Sequence, residues 1–145
     1  MTTIEPDPLG AAARNKALVR RYYDEVLTGR HEECLDELLA AEFTSHGAGG
    51  VHVGAIGYGA AVSATHAAFA DLVVTIHDQV AEADRVATRW SATGTQTGSY
   101  AGVPASNRQV TISGIHIHRV RDGRLAEHWE EVDALGALRQ MGAFG

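Results

Sequence analysis

The stretch that most constrains this chain is RQVTISGIHIHRVRDGRLAEHWEEVD, residues 108–133. Two runs rich in β-branched residues flank Arg121-Asp122-Gly123, so the stretch reads as a hairpin. Its register matters because a slip of one residue sends every side chain to the opposite face. A two-residue loop would pair Arg121 with Arg124 and set His116 against Trp129. A three-residue loop, with Gly123 left-handed, pairs Val120 with Arg124 and sets His116 opposite His128, with Glu130 as its diagonal neighbour. The side-chain pattern selects the second. Val110, Ile112, His116, His118, Val120, Ala126, His128, Glu130 and Val132 then share one face, and Ile115, Ile117, Leu125 and Trp129 the other. Neither face is purely polar, so both are expected to be covered.

The first face carries an imidazole–carboxylate cluster in apolar surroundings, and the chemistry such a cluster offers is proton transfer. A metal is the rival reading. His116 and His118 alternate on one strand, and with His128 and Glu130 beside them an N/O site for zinc, iron or manganese is chemically sensible. Arg89 and Trp90 sit in mid-strand, where an arginine either points into a pocket or ends at the sheet rim. Tyr22 and Tyr23 fall on a helix face and read as packing residues, with a hydroxyl able to reach the cavity. His46 ends a short strand beside a glycine-rich loop, a position at a cavity mouth. His31, His52, His66 and His77 show no partner pattern.

Elsewhere the periodicity separates helices from strands. Leu18, Val19, Tyr22, Tyr23, Val26 and Leu27 repeat at helical spacing from Asn15, with Gly29 as the stop. A shorter helix is expected over about His31 to Ala40, then a strand over Glu42–His46. GAGGVHVGAIGYG follows as a loop, since it fits neither a phosphate loop nor a dinucleotide fingerprint. A third helix is expected from Tyr58 to Phe69, and a hairpin from Val73–Ala81 and Val86–Gly98 turning at Glu82–Arg85. A terminal helical run carries Leu135, Leu138 and Met141. Residues 1–14 read as a loose arm and residues 15–145 as a single domain. Helices first and antiparallel strands after define an α+β fold, a curved sheet wrapped on its helices.

Composition narrows the function classes. The 145 residues are 45% hydrophobic, enough for a core. A net charge of −6 carries no basic stripe for nucleic acid or an anionic membrane. The single cysteine, Cys34, can form no internal disulfide and reads as a core-edge thiol. The N-terminus shows no signal-peptide pattern and no run approaches membrane-spanning length, so the expected setting is the cytoplasm.

The blocks NKALVRRYYDEVLTGR, EFTSH, DRVATRWSATGTQTG and GVPASNRQVTISGIHIHRVRDGRLAEHWEEVDALGALRQMG, in that order, resemble the SnoaL-like polyketide cyclases over about residues 15–142. The resemblance implies the nuclear transport factor 2 type of fold, a cone of helices on a curved sheet enclosing a pocket. It implies acid/base catalysis of an intramolecular aldol closure without metal or organic cofactor. The family's catalytic Asp lies two residues after a His in the last long strand and matches Glu130, one methylene longer. The family's partner histidine lies fourteen residues earlier and matches His116. On this reading Glu130 and His116 are catalytic, and His46, Arg89, His118, His128 and Trp129 contact a hydrophobic aromatic polyketide-like substrate. Asp133 caps the last helix. A homodimer is implied on the outer sheet face near Ile115, Ile117 and Trp129. Hydroxylation in the same pocket, a silent binding module and a His/Glu metal enzyme are the alternatives.

Overall fold

A computed structural model describes residues 8–144. Helix α1 spans Pro8–Arg21 and runs without a break into a π-helical turn, Tyr22–Thr28. The helix therefore begins seven residues before Asn15, and residues 8–14 are not a loose arm. Proline is tolerated in a first turn because its missing N–H would have no intrahelical partner there. Residues 1–7 of the expected arm lie outside the described residues. The π-helical turn widens the inward face, so Val19, Tyr22, Tyr23 and Val26 are all buried. Gly29 does end this helix, but by close approach: a Cβ there would lie 2.7 Å from the Glu25 carbonyl oxygen. The left-handed residue is Arg30, at φ 63°.

A 3₁₀ turn (Glu32–Cys34) and the short α2 (Leu35–Leu38) replace the longer helix expected there. The chain turns extended at Leu39 because Leu39 pairs with Leu125 across the sheet. Strand β1 (Leu39–Gly47) forms a hairpin with β2 (Gly50–Val53), inside the stretch expected to be loop. Helix α3 (Gly54–Ala68) follows, and Arg30 closes its C-terminal end by donating to the carbonyls of His66, Phe69 and Ala70.

Strands β3 (Val73–Glu82), β4 (Arg85–Thr95), β5 (Gln109–Arg121) and β6 (Arg124–Val132) complete one open sheet in the order β2-β1-β6-β5-β4-β3. Among the described residues, only the β1–β6 pairing is parallel. The short α4 (Ala134–Gln140) follows β6, with the Asp133 carboxylate accepting from Gly136 N at 2.9 Å as the expected N-cap.

The β5–β6 register corrects the sequence reading. The loop has two residues, with Asp122 at φ 51° and Gly123 at φ 73°, and Arg121 pairs with Arg124. A bulge then places an extra residue in β6 between Leu125 and Glu127. His116 therefore pairs with Glu130, and His118 with His128. The shift from the expected register is two residues, so the faces survive. Leu125 is the exception: the bulge turns both Leu125 and Ala126 inward, and both are buried. Helices α1 and α3 pack across the inner face of the sheet, over a core that includes Val26, Leu38, Phe43, Val62, Phe69 and Leu125. Among the described residues, no helix is long and apolar enough to cross a membrane.

Candidate active site

Strand alternation builds the site. Ser45 and Gly47 of β1, Trp90 and Ala92 of β4, Ile112 and His116 of β5, and Glu130 and Val132 of β6 line a cavity of about 230 Å³. Tyr22, Tyr58, Val62 and Tyr100 line it from the helices and a loop, and Gly49, Gly50 and His52 stand at its exposed edge. The loop carrying Tyr100 is pinned by the fully buried Gln96, which donates to the Val103 and Pro104 carbonyls and accepts from Ser106.

Among the described residues, Glu130 is the only carboxylate that lines the cavity. Its Oε2 lies 2.7 Å from His116 Nε2, and the 2% exposed His116 ring puts Nδ1 2.6 Å from the Tyr23 hydroxyl. Burial holds the Tyr23 phenol well above its ordinary range, so it keeps its proton. The phenol donates to Nδ1, which leaves the His116 proton on Nε2, facing the Glu130 carboxylate. Trp90 stacks on His116 with centroids 5.3 Å apart and an interplanar angle of 23°. Gly114 makes room for that indole, since a Cβ there would lie 2.7 Å from Trp90 Cζ2.

A second line of polar groups lies beside the first. Ser45 Oγ is 2.7 Å from His128 Nε2, and His128 Nδ1 is 3.2 Å from His118 Nε2. Burial, then the neighbouring His116, pushes both imidazoles well below the ordinary histidine range, so both are neutral. Among the described residues, His118 Nδ1 is buried without a partner. If His128 accepted from Ser45, the last proton in the line would sit on that nitrogen, a buried N–H with no acceptor. The opposite polarity leaves only a lone pair unpaired, the less costly orphan. His118 therefore donates to His128 and His128 to Ser45, and the Ser45 hydroxyl proton turns toward the cavity. Ser45 is a hydrogen-bond donor here rather than an activated nucleophile.

The Tyr22 and Tyr58 hydroxyls bond to each other within the lining, and burial raises both phenols well above their ordinary range. One hydroxyl donates to the other, so a second phenolic proton remains for a ligand.

The structure brings Glu130, His116, His118 and His128 together and separates the other expected contacts. His46, Arg89 and Trp129 point to the outer face, away from the cavity. Arg89 lies between Thr88 and Trp90, both buried inward, and pairs with Asp78 at 2.6 Å. His46 lies between Ser45 and Gly47, stacks on Trp129 and bonds Glu127 at 2.7 Å. Period-two alternation from the buried Phe43 already assigns Ser45 inward and His46 outward, a signal the sequence reading passed over. Tyr22, read as a packing residue whose hydroxyl could reach the cavity, does line it, while Trp90, Tyr58 and His52 were missed as lining residues. Nothing in the sequence pattern distinguishes them from core or loop.

His116, His128 and Glu130 could in principle supply three metal ligands, with one donor atom from each within 4.8 Å of the others. Both nitrogens of each imidazole already have hydrogen-bond partners, so binding a metal would break the bonds to Tyr23, Glu130, Ser45 or His118.

Comparisons with known proteins extend this picture. TsrD from Streptomyces laurentii superposes with a TM-score of 0.84 at 31% identity, covering 97% of this chain and 100% of that one. IdmH from Streptomyces antibioticus gives a TM-score of 0.76 at 30% identity over 88% and 98% of the two chains. The aklanonic acid methyl ester cyclase DnrD of Streptomyces peucetius is 37% identical over 49 residues, 34% of this chain and 34% of that one. That match spans about a third of the curated relative's length. The profile of the SnoaL-like polyketide cyclases matches residues 17–141, nearly the whole chain, and the chain belongs to that family.

Proposed function

We propose that the protein is a polyketide cyclase that closes a ring by cofactor-independent acid/base chemistry at Glu130. The observation that carries this reading is the pairing of a carboxylate that lines the cavity, Glu130, with a buried imidazole whose other nitrogen takes a phenol proton. Glu130 removes a proton from the carbon beside a substrate carbonyl. The enolate oxygen accepts from the Ser45 hydroxyl and from the free proton of the Tyr22–Tyr58 pair. The enolate carbon then bonds to a second carbonyl carbon of the same molecule, and the new alkoxide recovers the proton from Glu130. No atom is lost, and His116 orients the carboxylate throughout. Donors placed where charge develops, in a site shielded from water, stabilise that charge most.

The substrate is an aromatic polyketide or similar hydrophobic keto compound. DnrD, named for aklanonic acid methyl ester, supports that class. At about 230 Å³ the cavity takes the reacting ring, and the remainder extends past Gly49, Gly50 and His52. The outer face, where Ile115 and Ile117 are exposed, is the proposed homodimer surface.

Turnover of candidate intermediates by metal-stripped protein, anaerobically and in air, tests the reading. Anaerobic cyclisation that Glu130→Gln abolishes is expected. Turnover only in air would replace cyclase with hydroxylase, and activity lost on stripping and regained with one metal would replace acid/base chemistry with a metal site.

A further inference from the structure

We propose that Tyr100 determines specificity: its hydroxyl donates to a second oxygen of the substrate, at the end of the cavity opposite the reacting carbonyl. The inference rests on the reading of the cavity as the site of cyclisation and adds a second point of recognition to it. Strand register gives the cavity its length. Trp90 pairs with Gly114 and Ala92 with Ile112, so Ile112 lies about 13 Å along β5 from His116. Tyr100 stands beyond the end of β4, where Phe69 bridges to Gln96. Its ring packs edge-on against the fully buried Phe69, with centroids 5.2 Å apart. Between the two ends the lining is apolar. Val74 pairs with Ala92 and Ala92 with Ile112, and Leu72 joins them in the wall.

Two hydroxyls line the far end, those of Thr65 and Tyr100. Thr65 donates to the Ala61 carbonyl of its own helix at 3.1 Å, so its proton is already placed. The Tyr100 hydroxyl has no hydrogen-bond partner among the described residues, unlike the mutually bonded Tyr22 and Tyr58. Nor is it sealed off. Among the described residues, the buried side-chain atoms left without a partner are Trp90 Nε1 and His118 Nδ1. Burial, then the Glu130 charge, holds the Tyr100 phenol above its ordinary range, so it keeps its proton and can donate.

The backbone holds this phenol in place. Tyr100 and Val103 exchange both main-chain hydrogen bonds, at 3.0 and 2.8 Å, around Ala101 at φ 51° and Gly102 at φ 80°. A left-handed alanine is strained and persists because its surroundings fix the turn. Gln96 supplies that restraint through the Val103 and Pro104 carbonyls. A donor on so fixed a turn selects by what it meets. A ligand oxygen satisfies it, whereas a hydrocarbon edge displaces water and leaves the phenol proton unpaired. The substrate class narrows to ring systems with oxygen at both ends of the portion inside the cavity and an apolar span between them.

The test is calorimetric titration of the full chain with two probes. 2,6-Dihydroxynaphthalene carries oxygen at both ends of its long axis, and 2-naphthol at one. The parent is expected to bind the diol about five- to tenfold more tightly, and Tyr100→Phe to bring the two within about twofold. With a true substrate the same variant should raise KM by a similar factor and leave kcat near the parent value. Equal affinities in the parent, a preference that survives in Tyr100→Phe, or no binding of either probe would each overturn the proposal. Tyr100→Phe keeps the ring against Phe69; if it nevertheless unfolds, the parent's own preference between the probes decides. The two readings fail separately. A preference that depends on Tyr100 with no cyclisation of candidate intermediates would sink the cyclase reading only. Cyclisation with an unchanged KM in Tyr100→Phe would sink the role of Tyr100 only.

Discussion

The two faces of the sheet are built from the same short stretches and do different work. Ser45-His46-Gly47, Thr88-Arg89-Trp90 and His128-Trp129-Glu130 each send their first and third residues inward and the middle one outward. Inside, the polar groups lie in two buried lines, each ending in a group that faces the cavity. Outside, Arg89 is closed off by Asp78, and His46 by Glu127 and Trp129, in pairs that water screens. The difference teaches that a polar residue in this sheet is informative through the face it occupies and the partner of its last free atom. Residue type alone would have grouped His46 with His116.

The contrast breaks first if Glu130 is not the group that moves the proton. Glu130→Gln keeps the shape and a partner for His116 Nε2, and is expected to lower turnover of a true substrate about 10²–10⁴-fold. Unchanged turnover in the folded variant would mean that the inner face does not carry the chemistry.

Next in size is an effect on stability. His118 and His128 are buried and neutral, with folded values pushed well below the ordinary histidine value. As pH falls below about 6.5 the unfolded chain takes up protons that the folded chain refuses, so stability falls with pH. The loss approaches about 1.4 kcal/mol per pH unit for each imidazole, beginning near pH 6.5 and ending at the folded values. Urea unfolding at pH 7.5 and 5.5 checks this in a window above the carboxylate range. His118→Gln, whose amide can still donate to His128, should make the slope shallower. An equal slope in parent and variant would show that the inner imidazoles are already charged when folded.

Most of the architecture was legible in the sequence because it follows from period. The alternation in residues 108–133 assigned His116, His118, His128 and Glu130 to one face, and that assignment held although the pairing was wrong by two residues. The error came from the bulge after Leu125. A bulge leaves no composition signal, and a two-residue turn plus a bulge preserves the same faces as a three-residue loop. The β1–β2 hairpin was hidden by its glycines, which read as loop although two of them sit where its strands meet. The site was legible as a list of imidazoles and a carboxylate, but not as directed lines. Tyr23, His116 and Ser45 come from three different elements, and only the fold sets their hydrogen-bond partners.

A smaller effect separates the two inner lines. If Ser45 donates to the substrate oxygen, Ser45→Ala removes one neutral hydrogen bond and should slow turnover by about tenfold, or about 1.4 kcal/mol. Ser45→Thr should retain most of the rate. A Ser45→Ala loss as large as that of Glu130→Gln would instead mark the serine as a nucleophile, reversing the hydrogen-bond direction assigned to His118 and His128.

The smallest expected effect lies on the outer face, and it tests the contrast from the other side. Arg89 resembles a substrate-binding cation in sequence, being a mid-strand guanidinium one residue from Trp90, which lines the cavity. Its side chain is more than half exposed, and its partner Asp78 is equally open to water. An exposed pair of this kind contributes little, so Arg89→Ala should shift unfolding free energy by no more than about 0.5 kcal/mol. Turnover and KM should match the parent, because the sheet itself lies between this residue and the cavity. A raised KM with unchanged kcat would mean that the guanidinium reaches substrate, and the division of the sheet into a reacting face and a closed face would fail. A change confined to self-association, read by sedimentation, would leave that division intact and assign the outer face to contact with a second copy.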